Sequence, residues 1–310
     1  MTASKLLSTV ESFVHSNIQL SKESPLWRSM VELLAIGEAA ASLGFAAARV
    51  SDDFDRAGNP PAALVSRCTV LSPAAKLFST IRVPVVLQSV AVVHERWTVQ
   101  NAFSLRDKIA DAQIEAVQMG PEALQRRQLS VAMIDDHFVR EFRLWTEEIE
   151  RLAQKRKLPM FFCLAAGMRL WQWTLTQLHH QTDSLGRRMY SDVRQSVTFA
   201  MADALSGLLA ARSLIVDLLE SKERTPEGSE APPIMFDLAT IASLRAAGST
   251  GQISAELLLG YDCQFSSAAR SEFNSLNRKL DGSLCGTLTA RDRAEHFFIE
   301  LSQRHKSRGL

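Results

Sequence analysis

The stretch PMFFCLAAGMRLWQWTLTQLHHQTDSLGRRMYSDVRQSVTFAMADALSGLLAARSLIVDLLE, residues 159–220, decides the fold. Its apolar residues recur at three- and four-residue steps, as in Val193, Val197, Met201, Leu205, Leu208 and Leu219, which is the spacing of one helix face. Two helices are predicted, starting at Pro159 and Tyr190 and separated by TDSLGRRM. Helical patterns continue outward in both directions, so the chain reads as all-α.

Upstream, Leu6, Val10, Phe13 and Ile18 mark a first helix. Ser24-Pro25 begins the next, because serine caps and proline suits the first helical turn; MVELLAIGEAAASLGFAAARV carries it to about Val50. SDDFDRAGNPP, from Ser51 to Pro61, collects turn-forming residues and is predicted as a loop. Over 62–93 a kinked helix competes with a short strand pair, since TIRVPVVLQSVAVV is β-branched and Pro84 interrupts the ladder. Trp97 to Lys157 predicts a long antiparallel helix pair broken only at Gly120-Pro121. KERTPEGSEAPP is polar and turn-rich and gives a flexible link at 222–233. Three shorter helices are predicted after it, near Met235–Ala247, Ser266–Lys279 and Thr289–Gln303.

Composition narrows the classes. The 310 residues can bury a large core, and 35 basic against 34 acidic side chains leave no field that would gather nucleic acid. The basic run Gln154-Lys155-Arg156-Lys157 is a solvated helix end beside its own dipole. Four scattered cysteines without a CxxC pair predict reduced thiols in a reducing intracellular compartment, cytoplasm or mitochondrial matrix. No uninterrupted apolar run reaches the ~20 residues that cross a bilayer, so no membrane span is expected. The N-terminus makes a poor transit or signal peptide, and Arg308-Gly309-Leu310 misses the peroxisomal signal.

Chemistry-bearing motifs are few. Neither phosphate-binding glycine signature occurs, and the seven histidines form no HExxH or ExxH pair, so no metal is expected. His179 and His180, about 100° apart on a helix, are surface or interface imidazoles. Asp135, Asp136, His137 and Glu141 form the densest polar cluster and read as a solvated face on which His137 and Glu141 can meet. Trp145, Trp171 and Trp173 read as packing anchors.

From Ala165 onward the order of features resembles the C-terminal helical domain of acyl-CoA dehydrogenases. In that family a glycine-containing helix leads through an Arg-x-x-Phe-Gly turn to a helix bearing Gln, then Met-Ala-Asp, then Ala-Arg. Gln195, Met201-Ala202-Asp203 and Ala211-Arg212 match, while the turn keeps Gly186 and Arg187 but lacks the aromatic residue. AELLLGYDCQF (Ala255–Phe265) resembles the family's glycine-rich loop, which helps hold the flavin across a subunit interface. SLCGTLTAR (Ser283–Arg291) resembles the Tyr-Glu-Gly-Thr segment whose Glu is the base in many members, and Cys285 stands where that Glu would be. A thiol of ordinary pKa, ~8.5, is a poorer base for an α-proton than a positioned carboxylate.

The resemblance covers about residues 160–305 and implies an up-and-down helical bundle with little or no β-domain. Residues 1–158 would be an N-terminal helical region and 159–310 a four-helix bundle. It implies a pseudoenzyme that is a scaffold, subunit or assembly partner, as a homo-oligomer or with other proteins, and without cofactor. The alternative is an FAD-dependent enzyme acting on an acyl-CoA thioester, with Arg187, Gln195, Gly260 and Thr287 lining flavin or thioester and Glu256 or Asp262 standing in as base. A chance likeness predicts instead that the helices near 160–184 and 190–220 do not pack antiparallel.

Overall fold

The structure, a computed structural model, describes residues 25–95, 107, 109–111, 113–114, 120–191, 193–224, 233–260 and 266–307. The expected first helix at 6–18, most of the first member of the 97–157 pair, most of the 222–233 link, Asp262 and Cys263 lie outside the described residues. The fold is all-α. Its helices are α1 (Pro25–Arg56), α2 (Ala62–Glu95), α3 (Glu122–Ala132), α4 (Asp136–Arg156), α5 (Pro159–His180), α6 (Gln195–Arg224), α7 (Pro233–Leu259), α8 (Ser267–Ser283) and α9 (Thr287–Ser307). Among the described residues the β-structure is one isolated bridge, Thr182 to Arg188.

Several boundaries differ from the sequence expectation, each for a local reason. Helix α1 runs on through SDDFD, because Arg56 reaches back to Asp52 and Asp53 at 3.9 and 3.6 Å and supports a last turn that composition assigned to loop. The 62–93 ambiguity resolves to helix despite Pro73 and Pro84, since Val70, Leu71, Ala74, Leu77 and Phe78 are buried at helical spacing. A second break at Met133–Asp135 divides the helix expected from Glu122 onward. Asp135 accepts from the backbone N–H of His137 and Phe138, both at 3.1 Å, and so starts α4 as an N-cap. Helix α6 begins at Gln195, so Val193 belongs to the preceding loop. Helix α7 spans 27 residues and is one long element.

Lys157, left-handed at φ 53°, and Leu158 join α4 directly to α5, whose Pro159 takes the first turn. The core crosses this junction. Helix α1 packs on α2, α6, α7 and α9, while α2 packs on α3, α4 and α6.

Helices α5 and α6 run antiparallel, contrary to the chance-likeness expectation. Gly167 lies by Leu208, and farther along α5 the indole N–H of Trp171 donates to the Met201 carbonyl at 3.1 Å. Helices α5 and α7 run parallel, since Gly167 meets Ala247 and Thr174 Oγ1 donates to Ser254 Oγ at 2.9 Å. A Cβ on Gly167 would lie 2.9 Å from the Ala247 Cα, so this crossing requires glycine.

The expectation of no membrane-length apolar segment is corrected. By length and composition Trp27–Arg56, Ala62–Ser89 and Gln195–Glu220 are long and apolar enough to cross a membrane, with mean hydropathy 1.5, 1.4 and 1.5. Counting uninterrupted runs missed them because polar residues punctuate each one. In this fold 67%, 56% and 72% of their apolar windows are buried against other helices.

Candidate functional site

The parallel and antiparallel contacts above give the bundle two ends, and the residues that the resemblance singled out divide between them. At the end where α5 and α7 finish and α6 starts, residues 181–190 close on themselves. The Met189 N–H donates to the Gln181 carbonyl at 2.9 Å and the Asp183 N–H to the Arg187 carbonyl at 2.9 Å. Asp183 organises this hairpin by accepting from the Leu185 N–H at 2.9 Å, the Arg187 N–H at 2.8 Å and the side chains of Arg187 and Arg194. Partial desolvation pushes the Asp183 carboxyl up, but the Arg187 amide and guanidinium and the Leu185 amide outweigh it and hold it at about 2.

Arg187, Gln195 and Gly260 all sit at this end and are exposed. Arg187 is already held by Asp183. A Cβ on Gly260 would lie 2.4 Å from the Glu256 carbonyl oxygen, so this glycine lets the chain leave α7. Glu256 is exposed and accepts from Gln252 Nε2 at 2.9 Å. The same end presents bare apolar side chains: Val193 is 88% exposed, Leu185 72% and Leu259 58%.

Thr287 lies at the other end, where the turn between α8 and α9 covers the start of α5. Gly286, at φ 83°, approaches Pro159, and the Cys163 thiol donates to the Ser283 carbonyl at 3.1 Å. The Thr287 hydroxyl donates to the Leu284 carbonyl at 2.7 Å, which closes the turn. Cys285 projects into solvent from this turn. Helix α5 has 22 residues, so Thr287 stands about 33 Å from the other three at 1.5 Å per residue.

The remaining motif residues hold helices together. Asp203 binds Arg126 through both oxygens at 2.9 and 3.2 Å and ties α6 to α3. Arg212 lies over the Trp145 ring at 4.2 Å and 3.5 Å from Glu148; burial pulls its guanidinium below the ordinary value, partly offset by Glu148 and Glu141. Asp135, Asp136 and His137 are exposed, as a solvated face requires, but Glu141 is buried and paired with Arg67 instead of meeting His137. The sequence could not show this, because the partner lies 74 positions away. Trp171 is buried against Phe142 at 4.8 Å and Trp173 stacks on Phe273, as packing anchors do. His179 stacks on Tyr190 at 4.7 Å, and desolvation lowers its pKa. Cys68, Cys163 and Cys285 are free thiols, and the described residues contain no group of side chains suited to a metal.

Arg187, Gln195, Gly260 and Thr287 are not brought together within one chain. Three of the residues stand a helix length from the fourth, and Arg187, Gly260 and Thr287 each serve the local backbone. Nor do the described residues contain the strands from which the family builds its middle β-domain; Lys157-Leu158 leaves no insertion between α4 and α5.

No family model matches the chain, and no curated protein matches its sequence. Among solved structures it is similar to the crystal structure of an acyl-CoA dehydrogenase complexed with FAD from Bacillus anthracis, with a TM-score of 0.72 and 13% identity. That likeness covers 97% of this chain and 54% of the other, so the chain spans about half the length of that protein. At this identity it establishes a shared helical fold.

Proposed function

We propose that this chain is a non-catalytic helical subunit of acyl-CoA-dehydrogenase-like fold that acts as a scaffold, by pairing with a second copy or with another protein. The observation that carries the proposal is the bundle end at residues 181–195. Val193, Leu185 and Leu259 expose apolar surface there, beside the positions that in the resembled family contribute across a subunit interface. Cys285 at the position of the base, and the split of the motif residues between two ends, support a structural role over a reaction.

Light scattering on the full chain tests it. The chain is expected to run as a dimer or larger, or to retain a stoichiometric protein partner on purification. A double substitution, Leu185→Asp with Val193→Asp, should release that assembly while leaving the helical circular dichroism unchanged. A monomeric, partner-free wild type would sink the proposal.

One observation favours a second reading. Arg187, Gln195 and Gly260 at one end and Thr287 at the other could face a common ligand only in an assembly of two copies, as in a flavoenzyme acting on an acyl thioester. Flavin absorbance from the purified protein or its complex would establish that reading, and colourless material from both would remove it.

A further inference from the structure

A cleft of about 530 Å³, open to solvent along Val85, Ser89, Arg245, Gly248 and Gln252, is bounded by α1, α2, α6 and α7 and contains none of the residues of the 181–195 hairpin. It exists because α2 and α7, each packed on α6, make no substantial contact with one another. Small side chains leave the space: Ala204, Gly207 and Ala211 face it from α6, and Ala242, Ala246 and Gly248 from α7.

The cleft is polarised along its length. Around one end stand Ile36, Ala39, Phe78, Ala211, Ile241 and Ala242, all apolar. Around the other stand Arg82, Ser89, Asp203, Ser249 and Gln252, with the apolar Val85 and Val86 between Arg82 and Ser89 on α2. Ile241 to Gln252 spans 11 steps of α7, about 16 Å. The volume falls in the range of small-molecule sites, and such sites are mostly apolar with a few convergent polar groups.

Charge decides what the polar end would accept. Of the charged groups that line the cleft, Asp203 is neutralised by Arg126, and Glu32 pairs with Arg245 and lies 3.4 Å from Arg291. Arg82 donates to the Ser249 hydroxyl at 3.1 Å, and among the described residues it has no carboxylate partner. A guanidinium in a half-buried position without an anion is an electrostatic vacancy, and its planar fork matches a carboxylate. Ser249 can turn its hydroxyl to the same group.

We propose that this cleft binds a linear amphiphile with a carboxylate head, such as a medium-chain fatty acid. The head is held by Arg82 and Ser249, and the chain lies along α6 and α7 towards Ile241. The inference does not depend on the scaffold reading, because none of these residues belongs to the exposed end at 181–195.

The experiment is displacement of a fluorescent fatty acid from the full chain by dodecanoate and by its uncharged methyl ester. The wild type should bind dodecanoate at least tenfold more tightly than the ester. Arg82→Ala should remove that preference and leave ester binding unchanged. Gly248→Leu tests the cleft itself: a Cβ at this position meets nothing within 4 Å, so the substitution fills space without a backbone clash and should abolish binding of both ligands. Thermal melts of both variants report whether they fold. No binding to folded wild type, equal affinity for acid and ester, or unchanged binding in folded Gly248→Leu would each overturn the proposal.

Discussion

The seam between α5 and α7 and the hairpin at 181–190 are held by opposite physics, although they share one helix. At the seam, Gly167 against Ala247 brings two backbones together, and Thr174 and Ser254 satisfy each other in a dry interior. In the hairpin the organiser is a single carboxylate, Asp183, surrounded by amides and guanidinium groups at the protein surface. Close packing makes the seam intolerant of volume and indifferent to pH. The hairpin should tolerate volume and respond to protons.

The seam is where substitutions should cost most. Gly167→Leu inserts a side chain where even a methyl group would meet backbone, and overpacking should cost ~3 kcal/mol, read as a lower urea midpoint at unchanged slope. An intact midpoint would mean that the helices can separate there. A smaller loss, ~2 kcal/mol, is expected for Arg67→Ala, which leaves the Glu141 carboxylate buried without its partner. Adding Glu141→Leu should recover most of it, and a double-mutant cycle measures the coupling. Thr174→Val removes one buried hydrogen bond from the seam and should cost ~1 kcal/mol by the same titration.

The smallest effect belongs to the hairpin and concerns pH. The folded Asp183 pKa, about 2, lies below the ~3.9 of an unfolded aspartate, so its contribution is complete above the unfolded value and is lost as pH falls through about 2. Hydrogen exchange at the Leu185 and Arg187 amides should accelerate over that window while the Thr174 region stays protected. Asp183→Asn should show the faster exchange already at neutral pH. Protection that is independent of pH would make the hairpin as closely packed as the seam.

How far the sequence could be read differed with the range of the interaction. Apolar spacing gave helices α5 and α6, and short-range signals such as Ser24-Pro25 and the Pro159 start marked where elements begin. Boundaries failed where a local side chain outcompeted composition, as with Arg56 extending α1 and Asp135 starting α4. The candidate site was legible only as motif spacing. Nothing in Gly186, Gln195 or Thr287 reveals that the turn after α5 and the turn before α9 lie at opposite ends of one helix.

What the sequence determined by itself is the helical class, because periodic burial is a local property of the chain; the antiparallel pairing of α5 and α6, across the 14 residues 181–194, followed only from the family resemblance. Tertiary structure alone decided which charges are satisfied and where space remains. Arg67 finds Glu141, Arg126 finds Asp203, and Arg82 faces a cleft next to Ser249, across separations of 74, 77 and 167 residues. Electrostatic pairing and voids depend on which helix faces pack together, and that choice is made by the summed fit of the whole core.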